Sequence, residues 1–303
     1  MSGAVLVLNP RAGGLVTRGK GVAVVREARR MGAEIVATRS VEQLLEAVGK
    51  AASAGVERVV VAGGDGTLHH ALQALAGTPS ALAVVPAGRG NDLARTLEVP
   101  LHPVDAIRHA LTAPIRAIDL GRAGKRWYAC IGGVGFDGEV AAVARRVGKA
   151  MPGPFVYPWA LLRKLPGFVP PHVRVEFDEK VWEGRVMMAL FANGSTFGGG
   201  MRIAPQAVLD DGLLDLVLVR EVAKLELLRV FPRVYRGTHV EHGAVTTARA
   251  TEARVIAERP MIPWGDGEPL DDTPAREITF RVVPRALRVV TQLATSSKSP
   301  LER

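Results

Sequence analysis

Residues 58–68 read Arg-Val-Val-Val-Ala-Gly-Gly-Asp-Gly-Thr-Leu, a β-branched run broken by three glycines around one acid and followed at once by an amphipathic segment. Such a run reads as a buried strand that turns straight into a helix, since glycine tolerates tight reversals and removes Cβ atoms from the turn. Backbone N–H groups there can reach a polyphosphate, and the helix N-terminus adds partial positive charge. A carboxylate in that position repels phosphate unless a divalent cation sits between them, so Asp65 points to a metal–nucleotide complex. Its plainer role, shared with Thr67, is a helix cap.

The turn has two companions. Residues 84–95 repeat the order of strand, glycines, acid and helix through Gly88-Arg-Gly-Asn-Asp92, and Asn9-Pro-Arg-Ala-Gly-Gly14 closes the first apolar run. Strands are expected over 4–8, 34–38, 58–62 and 82–85, and helices over 16–31, 41–53 and 68–75. That alternation specifies βαβ units and a parallel sheet. Its glycine loops share one rim, at the carboxyl ends of the strands, where open α/β sheets bind ligands. After about residue 114 the period changes to two, with apolar alternation over 173–177, 184–192, 213–219 and 277–283 between Gly, Pro and Asp turns; the second half is mostly β. One helix is expected over 224–235. The Pro-rich apolar stretch 151–171, with Arg163 and Lys164 inside it, is either a core-packed connection or a face turned to a membrane. The tail 295–303 is polar and expected to fray.

Several classes are excluded. Gly14-Leu-Val-Thr-Arg-Gly-Lys-Gly21 fails as a phosphate loop at Gly21, where Ser or Thr is required, and no G-x-G-x-x-G follows the first strand. Cys130 is the single cysteine, which rules out an internal disulfide and a cysteine-based zinc site and suits a reducing cytoplasm. Its apolar surroundings suggest packing. No leader sequence is visible, and no apolar run reaches the roughly 18 residues of a spanning helix. The net charge of +9 favours an anionic partner, but aromatic residues are only 5% and the basic residues are dispersed, against nucleic acid. His69, His70, His239 and His242 lack metal-ligand patterns and read as solvated or loosely packed. Asp210, Asp211 and Asp215 around Gly212 read as a turn or a hard-cation site without EF-hand spacing.

Together with Ile118-Asp-Leu-Gly121, Gly133-Val-Gly-Phe-Asp137, Asn193–Pro205, Asp210-Asp-Gly-Leu-Leu-Asp215 and Gly265-Asp-Gly-Glu268, the glycine loops resemble the diacylglycerol kinase and sphingosine kinase superfamily, closest to its soluble bacterial lipid kinase branch. The resemblance implies a Rossmann-like, phosphofructokinase-like α/β domain over 1–116 and a β-sandwich lipid-substrate domain over 117–285, with 286–303 returning to the first. It implies ATP and Mg2+ as cofactors, with ATP in the interdomain cleft at Asn9, Thr38, Gly63, Gly64, Asp65, Gly66, Thr67, Gly88, Arg89 and Asn91. Arg89 stands where many relatives have Thr. Asp65 and Asp92 belong to the implied active centre, Glu268 is the implied proton acceptor and Asp266 its rival. Asp211, with carbonyls of Val208 and Leu213, matches a structural magnesium site, which Asp119 links to the centre. The implied function is ATP-dependent phosphorylation of a hydroxyl on diacylglycerol or a related lipid, by a cytoplasmic enzyme peripherally bound to membranes, with a homodimer left open. The alternatives are an NAD kinase-like enzyme and a non-catalytic lipid-binding relative.

Overall fold

The computed structural model describes residues 3–9, 19–147 and 153–293. The expected loop over 10–14, the start of the first helix at 16–18, residues 151–152 of the Pro-rich stretch and the tail from 294 lie outside them. In the first half, β1 (Ala4–Leu8), β2 (Glu34–Ala37), β3 (Arg58–Gly63) and β4 (Ala81–Pro86) form a parallel sheet in the order β2-β1-β3-β4. β3 and β4 are apolar almost throughout because helices cover both faces of the sheet. The helices α1 (Lys20–Arg30), α2 (Val41–Ser53), α3 (Asp65–Leu75), α4 (Asp92–Thr96) and α5 (Pro103–Thr112) supply that cover. α2 shows the local logic. Ser40 Oγ accepts the Gln43 N–H while Gln43 Oε1 accepts the Arg39 N–H, and Leu44, Val48 and Ala51 are buried.

α3 starts three residues before the expected position, so Gly66 and Thr67 lie in its first turn, where Asp65 complements the helix dipole. The expected helix over 224–235 splits into α8 (Lys224–Val230) and a 3₁₀ segment, Phe231–Tyr235, because Pro232 has no N–H for a continuing α-turn.

The second half is a β-sandwich. β9 (Lys180–Ala192) belongs to both sheets: its first residues pair with β8 (His172–Phe177), and its end pairs with β7 (Ile131–Gly135) and β10 (Leu214–Arg220). Phe191 stacks on Phe280 between the layers, with centroids 4.2 Å apart. Beside the sandwich lie α6 (Phe136–Val147) and α7 (Gly153–Lys164). α7 has a packed side and an open one: Ala160 and Leu161 are buried, whereas Trp159 and Leu162 face outward.

Two long strands join the halves. β5 (Ile115–Ala123) and β15 (Ala275–Val290) run antiparallel from the sandwich into the first sheet, where Arg288 and Val289 also pair in parallel with Ala81 and Leu82 of β4. The register shifts between Val283 and Leu287, and Arg285 takes φ 54° there. Asp119 fills that irregularity. Its Oδ1 accepts the Arg285 N–H at 2.8 Å, and its Oδ2 accepts the Gly212 N–H at 2.7 Å.

Candidate active site

The first two described glycine loops touch backbone to backbone. A Cβ on Gly64 would lie 2.9 Å from Gly88 Cα, and one on Gly88 would lie 2.5 Å from Gly64 Cα, so neither position admits another residue without separating the loops. Asp65 locks this contact. Its Oδ2 accepts the Asn91 N–H at 2.8 Å and its Oδ1 the Asp92 N–H at 2.7 Å. It therefore satisfies the start of the next helix, α4. Asp92 continues the chain of contacts by accepting the N–H groups of Gly199 and Gly200, at 2.9 and 2.8 Å. Burial pushes both carboxyls up, Asp92 to about 6 with Asp65 adding like-charge repulsion.

Asp65, Asp92 and Asp266 line one cavity of about 80 Å³, together with His69 and Cys130. Asp266 and Gly267 form the two-residue turn joining β13 (Trp264–Gly265) to β14 (Glu268–Pro269), both with positive φ, as a type I′ hairpin requires. The Asp266 carboxylate accepts the N–H groups of Ala129, Cys130 and Ile131, at 2.6, 2.9 and 3.1 Å, and burial pushes it up to about 6. Glu268 differs in kind. Its Oε1 lies 3.0 Å from where a Gly66 Cβ would stand, over the first turn of α3, and its Oε2 lies 3.1 Å from Arg145 Nη2.

Tyr157 and Phe197 line this acidic cavity and also a second one of about 90 Å³, which is bordered by Val140, Leu161, Met188, Met201 and Phe231. Phe197 is held there by paired backbone bonds with Met201 at 2.9 Å. A cleft lined by three acids and an apolar chamber thus share an aromatic wall.

Residues 3–123 match the diacylglycerol kinase catalytic domain, and residues 131–291 match the YegS C-terminal NAD kinase beta sandwich-like domain. A diacylglycerol kinase of Mycobacterium tuberculosis is 35% identical over 249 residues, covering 79% of this chain and 78% of that protein.

The chain belongs to the diacylglycerol kinase family.

It is a lipid kinase at that level. A diacylglycerol kinase of Bacillus subtilis is 28% identical over 273 residues, 88% of this chain and 90% of that one. A probable lipid kinase YegS-like of Stenotrophomonas maltophilia is 32% identical over 254 residues, covering 80% and 81%. A putative diacylglycerol kinase from Bacillus anthracis has the same fold, with TM-score 0.78 at 19% identity over 95% of this chain and 97% of that one.

The remaining expected residues of this lipid kinase divide by their contacts. Thr38 is buried and donates its hydroxyl to Leu8 O at 3.3 Å, next to the partly buried Asn9. Arg89 is exposed. Asn91 spends its amide on Gly88, accepting that N–H at 2.8 Å and donating to its carbonyl at 3.1 Å, so its side chain shapes the loop. Gly63 lies against Thr67 across the turn. Asp211 is buried, accepts the Leu213 N–H at 3.1 Å and lies 3.9 Å from Arg249. Burial pushes the carboxyls of Asp119 and Asp215 up, and Asp211 adds to both shifts. Val208 lies in the same loop, beside the Leu209 carbonyl that accepts the Asp119 N–H.

Two histidines depart from the solvated role expected of them. His69 lies inside the acidic cavity, where burial pushes it down to about 3 and keeps it neutral, and His239 is 4% exposed with Nε2 3.1 Å from Ile203 O. Cys130 is buried in the cavity wall, and its thiol is pushed up by that burial. Tyr157 carries no sequence motif; its only signal was membership of an apolar stretch.

Proposed function

We propose that this chain transfers the γ-phosphate of ATP to a hydroxyl of diacylglycerol or a related lipid, with Glu268 accepting the hydroxyl proton. The observation that carries the reading is the aromatic wall shared by the two cavities: an apolar chamber holds acyl carbon while the alcohol reaches the acidic cleft past Tyr157 and Phe197.

ATP is assigned to the rim formed by the Gly63–Thr67 turn and the 88–91 loop. There the N-terminus of α3 favours phosphate, and Arg89, Asn9 and Thr38 lie at its edges. Glu268 suits the base better than Asp266. Three backbone donors fix Asp266, whereas Glu268 meets a side chain, Arg145, over the nucleotide turn. As the alcohol oxygen bonds to the γ-phosphorus, its proton passes to Glu268 and the bond to the bridging oxygen of ADP breaks. A positioned base of this kind contributes about 100- to 10,000-fold.

Magnesium is assigned to Asp211 and the carbonyls of Val208 and Leu213, with Asp119 beside them. The fit rests on crowding: Asp211 is buried beside Asp119 and Asp215, whose carboxyls are pushed up by burial and, to a smaller extent, by Asp211, and such a group of oxygens suits a hard cation. When bound, such an ion supplies charge that offsets neighbouring oxygens. Among the described residues no helix is long and apolar enough to cross a membrane. Exposed Leu162, Val169 and Leu225 lie near Arg163 and Lys224, and Lys224 donates to Pro166 O, which joins the two segments into one face for peripheral contact with an anionic bilayer.

The test is transfer of radiolabelled phosphate from ATP in mixed micelles over a broad lipid panel, with NAD as a control acceptor. Product on a glycerolipid supports the reading. Metal-replete enzyme that labels only NAD, or nothing, overturns it.

A further inference from the structure

The three acids of the cleft spend their oxygens on the protein itself: Asp65, Asp92 and Asp266 all accept backbone N–H groups. Tyr157, which lines the same cavity, does the opposite. Its hydroxyl has no hydrogen-bond partner among the described residues, and it is not sealed, in contrast to His69 Nδ1 and the Tyr128 hydroxyl, which are unpartnered but closed off from solvent. Ionised carboxylates accept and cannot donate, so an accessible O–H among them offers what they lack.

The ring that carries this hydroxyl is fixed on the aromatic wall. It meets Phe197 edge-on with centroids 5.6 Å apart, and its Cδ1 and Cε1 lie 3.6 Å from where a Gly198 Cβ would stand. The hydroxyl itself lies 3.5 Å from where a Gly267 Cβ would stand, on the turn between Asp266 and Glu268. Burial pushes the phenol up, and the charges of Asp92, Asp65 and Glu268 add to the shift, so it keeps its proton. A neutral donor thus stands beside the turn that leads into Glu268, at the boundary between the acidic cavity and the apolar chamber. An alcohol arriving at that boundary can accept from Tyr157 and donate to a carboxylate at once. An ester carbonyl can only accept, and hydrocarbon can do neither.

We propose that Tyr157 is a specificity residue for the lipid's acceptor hydroxyl: it donates a hydrogen bond to that oxygen while the hydroxyl donates to Glu268. The assignment rests on the lipid-kinase reading for the entry of the alcohol past this wall, and binding without any phosphate transfer tests it. Sites built to hydrogen-bond a substrate hydroxyl discriminate against analogues lacking it, because their own polar groups are then left unpaired.

Binding of two probes to the full chain would be measured by calorimetry without nucleotide: 1,2-dioctanoylglycerol, and the dioctanoyl diester of propane-1,2-diol, which keeps both esters and lacks the free hydroxyl. The parent is expected to bind dioctanoylglycerol about tenfold more tightly than the diester, and Tyr157→Phe, which keeps the ring, should cut that ratio to about threefold or less. Phe197→Leu disturbs the same wall but leaves the hydroxyl in place; it should weaken both probes alike and preserve the ratio. Melting temperatures confirm folding, and Tyr157→Phe removes no hydrogen bond that holds the chain. A ratio unchanged in Tyr157→Phe, a ratio near one in the parent, or no binding of either probe overturns the proposal. An unchanged ratio in an enzyme that still phosphorylates dioctanoylglycerol removes the role of Tyr157 alone, whereas the expected loss of preference in a chain that phosphorylates no lipid removes the kinase reading and leaves the hydroxyl site.

Discussion

Asp65 Oδ1 accepts the backbone N–H of Asp92 at 2.7 Å, and Asp92 in turn accepts the N–H groups of Gly199 and Gly200. Two acids from the catalytic domain thus form a relay that ends in the sandwich half. The position of the cleft walls depends on carboxylates whose oxygens are occupied by backbone, and a ligand or cation reaching them meets groups already aligned.

Replacing Asp65 with Ala leaves the Asn91 and Asp92 N–H groups without their acceptor. Each buried orphan costs about 1–3 kcal/mol, so Asp65→Ala should lower the denaturant midpoint measurably and reduce transfer at the same time. Chemical denaturation beside initial rates checks this; unchanged stability would show that the relay does not hold the loops.

Glu268 and Asp266 should separate cleanly. Glu268→Gln is expected to lose about 100- to 10,000-fold in transfer rate with little change in melting temperature. Asp266→Ala strands three backbone donors and should melt well below the parent. The reverse pattern would move the base to Asp266.

Stability should depend on pH through Asp92 and Asp266. Both sit near 6 in the folded chain against 3.8 as the ordinary value. An acid whose pKa is higher when folded holds its proton more tightly in that state. It contributes stability below the unfolded value and loses it as pH rises through the folded one. Between about pH 4 and 6 the stability advantage of the parent over Asp92→Asn should therefore shrink as pH rises. Urea titrations at several pH values read this, and a constant difference would contradict it.

Asp119→Ala removes both carboxylate oxygens, so the N–H groups of Arg285 and Gly212 each lose their acceptor. A loss of about 1–3 kcal/mol is expected. Hydrogen exchange should quicken at both Arg285 and Gly212, a paired change that would not follow if the two strands were held by ladder bonds alone.

Leu162→Glu and Leu225→Glu should weaken co-sedimentation with anionic vesicles and raise its salt sensitivity, while transfer to a short-chain soluble acceptor is retained. Equal loss on both substrates would argue against this face as the membrane contact.

Much of the fold was legible because its signals are local. The apolar runs of β1, β3 and β4 specify strands, the glycines after β3 and β4 specify strand-to-helix turns, and the period-two runs specify the sandwich. What was not legible depends on contacts between distant residues. Asp65 reads locally as a cap for its own helix, yet it serves α4, because the Gly64–Gly88 contact brings the loops together. His69 and His239 show no motif because burial, which sequence spacing does not encode for single polar residues, makes them neutral cavity walls. Gly121 gives no hint that a Cβ there would lie 2.0 Å from the Tyr128 ring. The split roles of Asp266 and Glu268 follow from a two-residue turn whose acid happens to face three N–H groups of β7 and its approach.

The β15 strand also sets an order of assembly. Its residues 287–290 fill the slot between β4 and β5, yet they are synthesised after the whole sandwich. A nascent chain that has emerged only as far as residue 123 carries β4 with an unpaired edge, and such edges invite pairing with other chains. The catalytic half is therefore not a separable folding unit; it closes only when the last strand of the sandwich threads back. A fragment cut at the family's own domain boundary should be prone to self-association, and adding the C-terminal strand in trans should suppress it.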